Sequence, residues 1–239
     1  MKQTLYLSTA YLDDLMVRMA HHSTAIEGNS LTQGETKSVL IDGYVPRAID
    51  LRELNEVLNY KAFTKEMVRF LQEEREVNGE FIKEIHSILC REAIESVPGK
   101  FKTQPNMVIG ADFTPSPPYR VPMDIEQWRQ DLDYQLKNAA DARTMVEAIC
   151  RQHFRFERIH PFPDGNGRVG RALMVYSALQ QKLPPIVIPV DEKKKYINFL
   201  NTEDLNGFVE FCLALQQKEL ERIKIFADER DKMLEIYDE

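Results

Sequence analysis

The sequence predicts a helical protein with a single β-hairpin, and three observations support this. Apolar residues recur at helix spacing through most of the 239 residues, as in Leu12, Leu15, Met16, Met19 and Ile26. Capping and stop residues bracket those stripes. The only plausible strand pair lies in the proline-rich stretch 98–122, and no buried strand precedes the glycines at 165–170, so no βαβ unit fits. Hydrophobic residues make up 43% and charged residues 29%, enough for a sizeable core in one large or two small domains.

The first helix spans residues 8–27, capped by Ser8 or Thr9 and stopped by Gly28 and Asn29. Glu27 is badly placed at its end, because an anion there opposes the helix dipole. Thr32 and Glu35 form a capping box for a short second helix. Asp50 starts a longer one through about Arg75, with an apolar face of Leu51, Leu54, Leu58, Met67, Phe70 and Leu71. Tyr60 and Phe63 are read as core. Asn78-Gly79 breaks the chain, and residues 80–93 resume as a helix in which His86 receives no role. The stretch 98–122 carries six prolines and two extended pieces, Met107–Ile109 and Tyr119–Val121. Its length without helical pattern suggests function. Helices follow at 123–138 and 142–159, the second bearing His153, for which packing is favoured over support of the next loop. An apolar helix begins around Val169, and a last one runs on from Phe208.

Net charge is −7, which argues against a nucleic-acid partner. The first residues lack a long apolar run before Asp13 and Asp14, so no signal peptide is expected, and no window suits a membrane span. Cys90, Cys150 and Cys212 show no C-x-x-C spacing and are expected as buried thiols in a reducing cytoplasm.

The chemistry concentrates in residues 160–171, H-P-F-P-D-G-N-G-R-V-G-R. Pro161 pushes His160 off the helical region and onto a loop. The free N–H groups of the helix start at Gly165-Asn166-Gly167 form an anion site. Arg168 and Arg171 share one helix face there, a conflict with the dipole that a polyphosphate relieves. Asp164 suits Mg²⁺ shared with phosphate oxygens, and His160 is the one group able to take a proton near neutral pH. The letters also contain G-x-G-x-x-G with Asp191 about 20 residues on, but the charged, proline-broken run before it excludes a dinucleotide fold.

This stretch matches the Fic family signature, H-x-F-x-[DE]-G-N-G-R-x-x-R, at every fixed position. The resemblance implies an all-α, Fic-type helical bundle with a small β-hairpin flap (about 99–122), whose edge receives a protein substrate as an added strand. It implies transfer of AMP from ATP to Ser, Thr or Tyr hydroxyls, with His160 as base, Asp164 holding Mg²⁺, and Gly165, Asn166, Gly167, Arg168 and Arg171 binding phosphates. Tyr196 and Asn201 fall where the family builds its adenine pocket. S-T-A-I-E-G-N resembles the family's inhibitory helix motif, placing Ser23, Glu27 and Gly28 on its fixed positions and pairing Glu27 with Arg171. The organisation expected is an N-terminal region 1–78, a catalytic core 79–215 and a C-terminal helix 216–239. Self-modification and a homodimer are further expectations. Two other readings stay open: a related enzyme that transfers another phosphate-containing group or removes AMP, and a non-catalytic binding module, against which the intact His160, Asp164 and Asn166 argue.

Overall fold

A computed structural model describes residues 6–108, 113–227 and 233–235. Helix α1 (Thr9–Ile26) is capped by the Ser8 hydroxyl, which accepts from the Tyr11 N–H. It ends at Glu27, where Gly28 (φ +103°) turns the chain and the Asn29 N–H closes on the Thr24 carbonyl at 3.1 Å. α2 (Gln33–Lys37) has the expected Thr32/Glu35 capping box. α3 (Leu51–Gln72) starts at the Asp50 cap. Its buried face differs from the expected one. Leu51 and Leu58 are 70% and 39% exposed, while Val57, Tyr60, Phe63, Met67 and Phe70 face the core. That stripe keeps the 3.6-residue period, whereas Leu51 and Leu58 drift off it.

α4 (Gly79–Leu89) is shorter than expected, stopping at Cys90. In the stretch 99–122, residues 109–112 of the expected hairpin lie outside the described residues, and no described residue is in a strand. The expected extended piece Tyr119–Val121 is a 3₁₀ turn (Pro118–Arg120) running into α5 (Val121–Lys137). Pro118 and Pro122 account for this, because proline suits a first helical turn, where its missing N–H costs nothing. α6 (Ala142–Ile159) has the expected bounds. α7 (Asn166–Gln180), α8 (Lys193–Thr202) and α9 (Leu205–Phe226) complete the helices. Two three-residue strands, β1 (Tyr6–Ser8) and β2 (Met233–Glu235), pair antiparallel.

The core is arranged around α7, of which every residue but Gly167 and Gln180 is buried. α1, α3, α4 and α6 all pack on it. Phe63, Phe70, Phe81, Phe156 and Phe162 fill one side, and Ile149, Met174, Ile186, Phe199 and Phe208 the other. α1 is also tied to α9. Arg18 reaches both oxygens of the buried Glu219 at 2.8 and 2.6 Å, Tyr11 donates to it at 2.6 Å, and Arg222 holds Asp14 at 2.5 and 2.6 Å. A buried carboxylate satisfied by three donors loses a great deal if one is removed, so α1 is fixed along its length before it reaches Glu27.

Candidate active site

His160 closes α6 with its N–H on the Phe156 carbonyl, in the left-handed region (φ +49°). Few residues other than glycine adopt it, and such strain persists where surrounding structure imposes it. Here Pro161 and the loop impose it. The Nδ1–H of His160 donates to the Glu157 carbonyl at 3.2 Å, which leaves Nε2 as the proton acceptor. Burial pulls its pKa down to about 4, with Lys102 adding to the effect, so the imidazole is neutral at neutral pH.

The loop after His160 is held from beneath. Asn166 lies 2% exposed, accepting from the Phe162 N–H and donating to the Phe162 carbonyl, both at 2.8 Å. Its amide therefore shapes the turn. His86, given no role by its sequence context, stacks on Phe162 with ring centroids 3.8 Å apart. It accepts the Gly99 N–H on Nδ1 at 2.7 Å and donates from Nε2 to the Asp164 carbonyl at 3.0 Å. Lys102 adds a third prop: its N–H donates to the Pro161 carbonyl at 2.8 Å, and its ammonium to Asn106 at 2.6 Å. Asn106 in turn donates to the Phe162 carbonyl at 2.9 Å. His86, Lys102 and Asn106 carry no sequence signal for this role, because the backbone groups of the loop they hold lie more than fifty residues along the chain.

Gly165 (φ +78°) caps α7, and a Cβ there would lie 2.4 Å from the Cys90 sulfur. Asp164 is exposed, with Oδ1 accepting the Gly165 N–H at 2.5 Å and lying 3.6 Å from Arg168. No cluster of three or more acidic, His or Cys side chains suited to a metal exists among the described residues. One exposed carboxylate beside a helix N-terminus fits Mg²⁺, which is commonly held by one or two carboxylates with phosphates and water.

The two arginines differ. Arg168 is 3% exposed, and its Nε and one terminal nitrogen have no hydrogen-bond partner. Arg171 is fully engaged. Its Nε donates to the Ser23 hydroxyl at 2.9 Å, and one terminal nitrogen to the Ser23 carbonyl at 3.0 Å and to Glu27 at 2.6 Å. Tyr60 donates to the same Ser23 hydroxyl at 2.6 Å. Burial disfavours both charges of the Glu27–Arg171 pair, yet the mutual attraction outweighs it, holding the Glu27 pKa below and the Arg171 pKa above the usual values. The pair lies directly against Gly167: a Cβ there would stand 2.4 Å from the Glu27 carboxylate and would make it shift.

Behind Arg171, Tyr196 is 1% exposed on α8 and pairs with His153 at 2.8 Å. Asn201 is exposed in the last turn of the same helix. Glu157 is half-buried there, with one oxygen fully buried and without a hydrogen-bond partner, and loss of solvent pushes its carboxyl up to about 7 against the pull of Arg171.

Residues 76–178 match the model of the Fic/DOC family. Over that segment the chain carries a Fic/DOC domain. Among curated relatives, protein adenylyltransferase fic-1 of Caenorhabditis briggsae is 30% identical over 211 residues, 84% of this chain and 40% of that protein. Protein adenylyltransferase Fic of Drosophila virilis is 28% identical, over 84% of this chain and 41% of its own length. The chain thus spans about two fifths of the curated relatives it matches. A Fic domain-containing signalling protein from Bacteroides thetaiotaomicron superposes with a TM-score of 0.79, covering 95% of this chain and 90% of that one at 23% identity. A Fic-1 fragment from C. elegans gives 0.74 at 26% identity, covering 90% of this chain and 64% of that one. The Fic fold extends beyond the matched segment to nearly the whole chain, N-terminal helices included.

Proposed function

We propose that this Fic protein is an ATP- and Mg²⁺-dependent protein adenylyltransferase whose own Glu27 restrains it. The observation that carries the reading is the conjunction at α7: a neutral His160 with Nε2 available, set beside a helix N-terminus that buries two arginines. The names of the curated relatives agree with it.

In this reading ATP lies along the Gly165–Arg168 turn. His160 Nε2 takes the proton of a target Ser, Thr or Tyr hydroxyl as its oxygen attacks the α-phosphorus. The α–β bridging bond breaks and pyrophosphate leaves. The N–H groups of Asn166 and Gly167 hold phosphate oxygens, and Arg168 stabilises charge on the leaving group. Asp164 would hold Mg²⁺, which supplies charge neutralisation to the phosphates. Arg171 is the partner of the γ-phosphate once Glu27 releases it. Electrostatic positioning of this kind is the main resource of phosphate chemistry. Tyr196 and Asn201 are assigned to the adenine side.

The protein target is assigned to the flap side of the last turn of α6. A groove of about 600 Å³ there is lined by Thr114, Ser116, Arg155, Arg158 and Ile159, the last of them next to His160 in the chain. The stretch 1–78 serves as the restraining region and 79–215 as the catalytic core; the separate helix expected over 216–239 is instead the end of α9 (Leu205–Phe226), with β2 at Met233–Glu235 beyond it. Three free, buried thiols suit a reducing cytoplasm, and no described helix is long and apolar enough to cross a membrane. Self-modification and homodimerisation belong to the same proposal.

Incubation with ATP labelled at the α-phosphate tests it. Label on protein, removed by His160→Ala, supports transfer of AMP. Labelled AMP released from a modified substrate supports the reverse reaction, and no turnover of label by the wild type or by Glu27→Gly leaves a binding module.

A further inference from the structure

Arg168 is a guanidinium taken out of water without full compensation. It is 3% exposed and sits between two carboxylates, Glu56 Oε1 and Asp164 Oδ1, each 3.6 Å away and too far for a good hydrogen bond. Two of its nitrogens have no partner. A buried, unpaired donor costs about 1–3 kcal/mol, and more when charged, so this geometry is that of a side chain held ready for a ligand. The two carboxylates are unlike. Asp164 is 61% exposed on its side chain, whereas Glu56 is 4% exposed and comes from α3, more than a hundred residues away in sequence. The exposed carboxylate is screened by water. Glu56 is therefore the main fixed counter-charge of Arg168.

Glu56 has a second attachment. Its other oxygen accepts from the Asn29 side-chain amide at 2.9 Å, and that amide also donates to the Glu53 carbonyl at 3.0 Å. Asn29 stands two residues beyond Glu27 on the same turn. The neighbouring Ser30 adds bonds to the Glu53 carboxylate at 2.7 and 2.8 Å. The turn that aims Glu27 at Arg171 is thus docked on the residue that faces Arg168.

We infer that Glu56 is a positioning residue of the nucleotide site, holding Arg168 at the leaving phosphates and linking it to the Glu27–Asn29 turn. This rests on the nucleotide reading above. It differs from the Glu27–Arg171 contact in kind: Glu27 engages its arginine by a direct hydrogen bond, whereas Glu56 stands 3.6 Å from Arg168 and leaves two of its donors without a hydrogen bond.

The test is a double-mutant cycle on nucleotide binding in the Glu27→Gly variant, read by calorimetry with ATP and, separately, with AMP. Glu56→Gln keeps size and polarity and removes the charge. It is expected to weaken ATP binding on the order of tenfold, the effect of about 1.4 kcal/mol, while AMP binding, which does not involve the leaving phosphates, changes less than about twofold. Arg168→Ala is expected to weaken ATP at least as much, and Glu56→Gln added to Arg168→Ala to produce no further loss, because coupled residues are not additive. Retained AMP binding reports an intact fold. Multiplying losses, or equal losses for ATP and AMP, overturn the role of Glu56 alone. Failure of the Glu27→Gly protein to bind ATP at all overturns the nucleotide reading and this inference together.

Discussion

Replacing Glu27 by Gly tests the brake most directly. Arg171 is 7% and Glu27 41% exposed on their side chains, and one hydrogen bond of 2.6 Å joins them. A charge-assisted bond contributes about 1.5–3 kcal/mol. Water at the Glu27 side discounts that, leaving about 2 kcal/mol. If Arg171 must leave Glu27 before it can meet the γ-phosphate, only about one molecule in thirty is competent at rest, at about 1.4 kcal/mol per tenfold. Glu27→Gly should then raise the initial rate of AMP incorporation about 30-fold at saturating ATP. Glu27→Gln keeps an acceptor without the charge and should fall between the two. Arg171→Ala in the Glu27→Gly background should return activity to the baseline, since the freed group is then missing. The assay is intact-protein mass of the automodified chain against time. A Glu27→Gly protein that binds ATP but is no faster than wild type refutes the brake and leaves the transferase reading standing.

Three further outcomes are expected. His160→Ala should lose about 10²–10⁴ in transfer rate while calorimetry shows ATP still bound, because the imidazole lies outside the phosphate cradle; transfer close to the wild-type rate would refute its role as base. Asp164→Ala should abolish the dependence of activity on added Mg²⁺ together with the activity, and a normal Mg²⁺ titration would remove Asp164 as the ligand. Glu157→Gln should change stability with a defined sign. The folded-state pKa of Glu157 is raised to about 7 by burial, so the folded state holds this proton more tightly than the unfolded chain. Its contribution is fully present below the unfolded value of about 4.3 and is lost as pH rises through about 7. The glutamine variant lacks that loss and should gain on wild type in urea melts by up to about 3 kcal/mol between those limits. Equal pH profiles for the two proteins would show that Glu157 titrates alike in the folded and unfolded chain.

Legibility in the sequence followed the range of the interactions. α6 and the cap of α2 were readable to the residue because a capping residue and its stripe lie within one helix. The family signature was legible because all of it lies within twelve consecutive residues. The 3₁₀ turn at Pro118–Arg120 was misread as extended, since a proline-rich run suits a helix start as well as an edge strand. The supports of the loop were not readable. His86 acts through a backbone carbonyl 78 residues away, and Glu56 through an arginine on another helix. Pairing of that kind is a property of packing, and a lone buried His or Glu carries no local mark of it.

The proposed restraint would follow from a cost set by α7. That helix is the centre of the core, yet it carries two arginines at its N-terminal end, where the dipole already disfavours cations. With nucleotide bound, phosphates would balance both charges. Without it, a buried and unpaired guanidinium costs several kcal/mol, so the empty fold requires carboxylates from elsewhere. The N-terminal helices provide one for each: Glu27 from the end of α1 for Arg171, and Glu56 from α3 for Arg168. If Arg171 meets the γ-phosphate as proposed, a carboxylate that stabilises it in the empty state occupies the place of a phosphate oxygen. Folding stability and inhibition are then one interaction seen in two states, which predicts that activating substitutions at Glu27 lower the stability of the nucleotide-free protein and that ATP restores it. A Glu27→Gly protein as stable as wild type without nucleotide would separate the two and remove this account of why the brake exists.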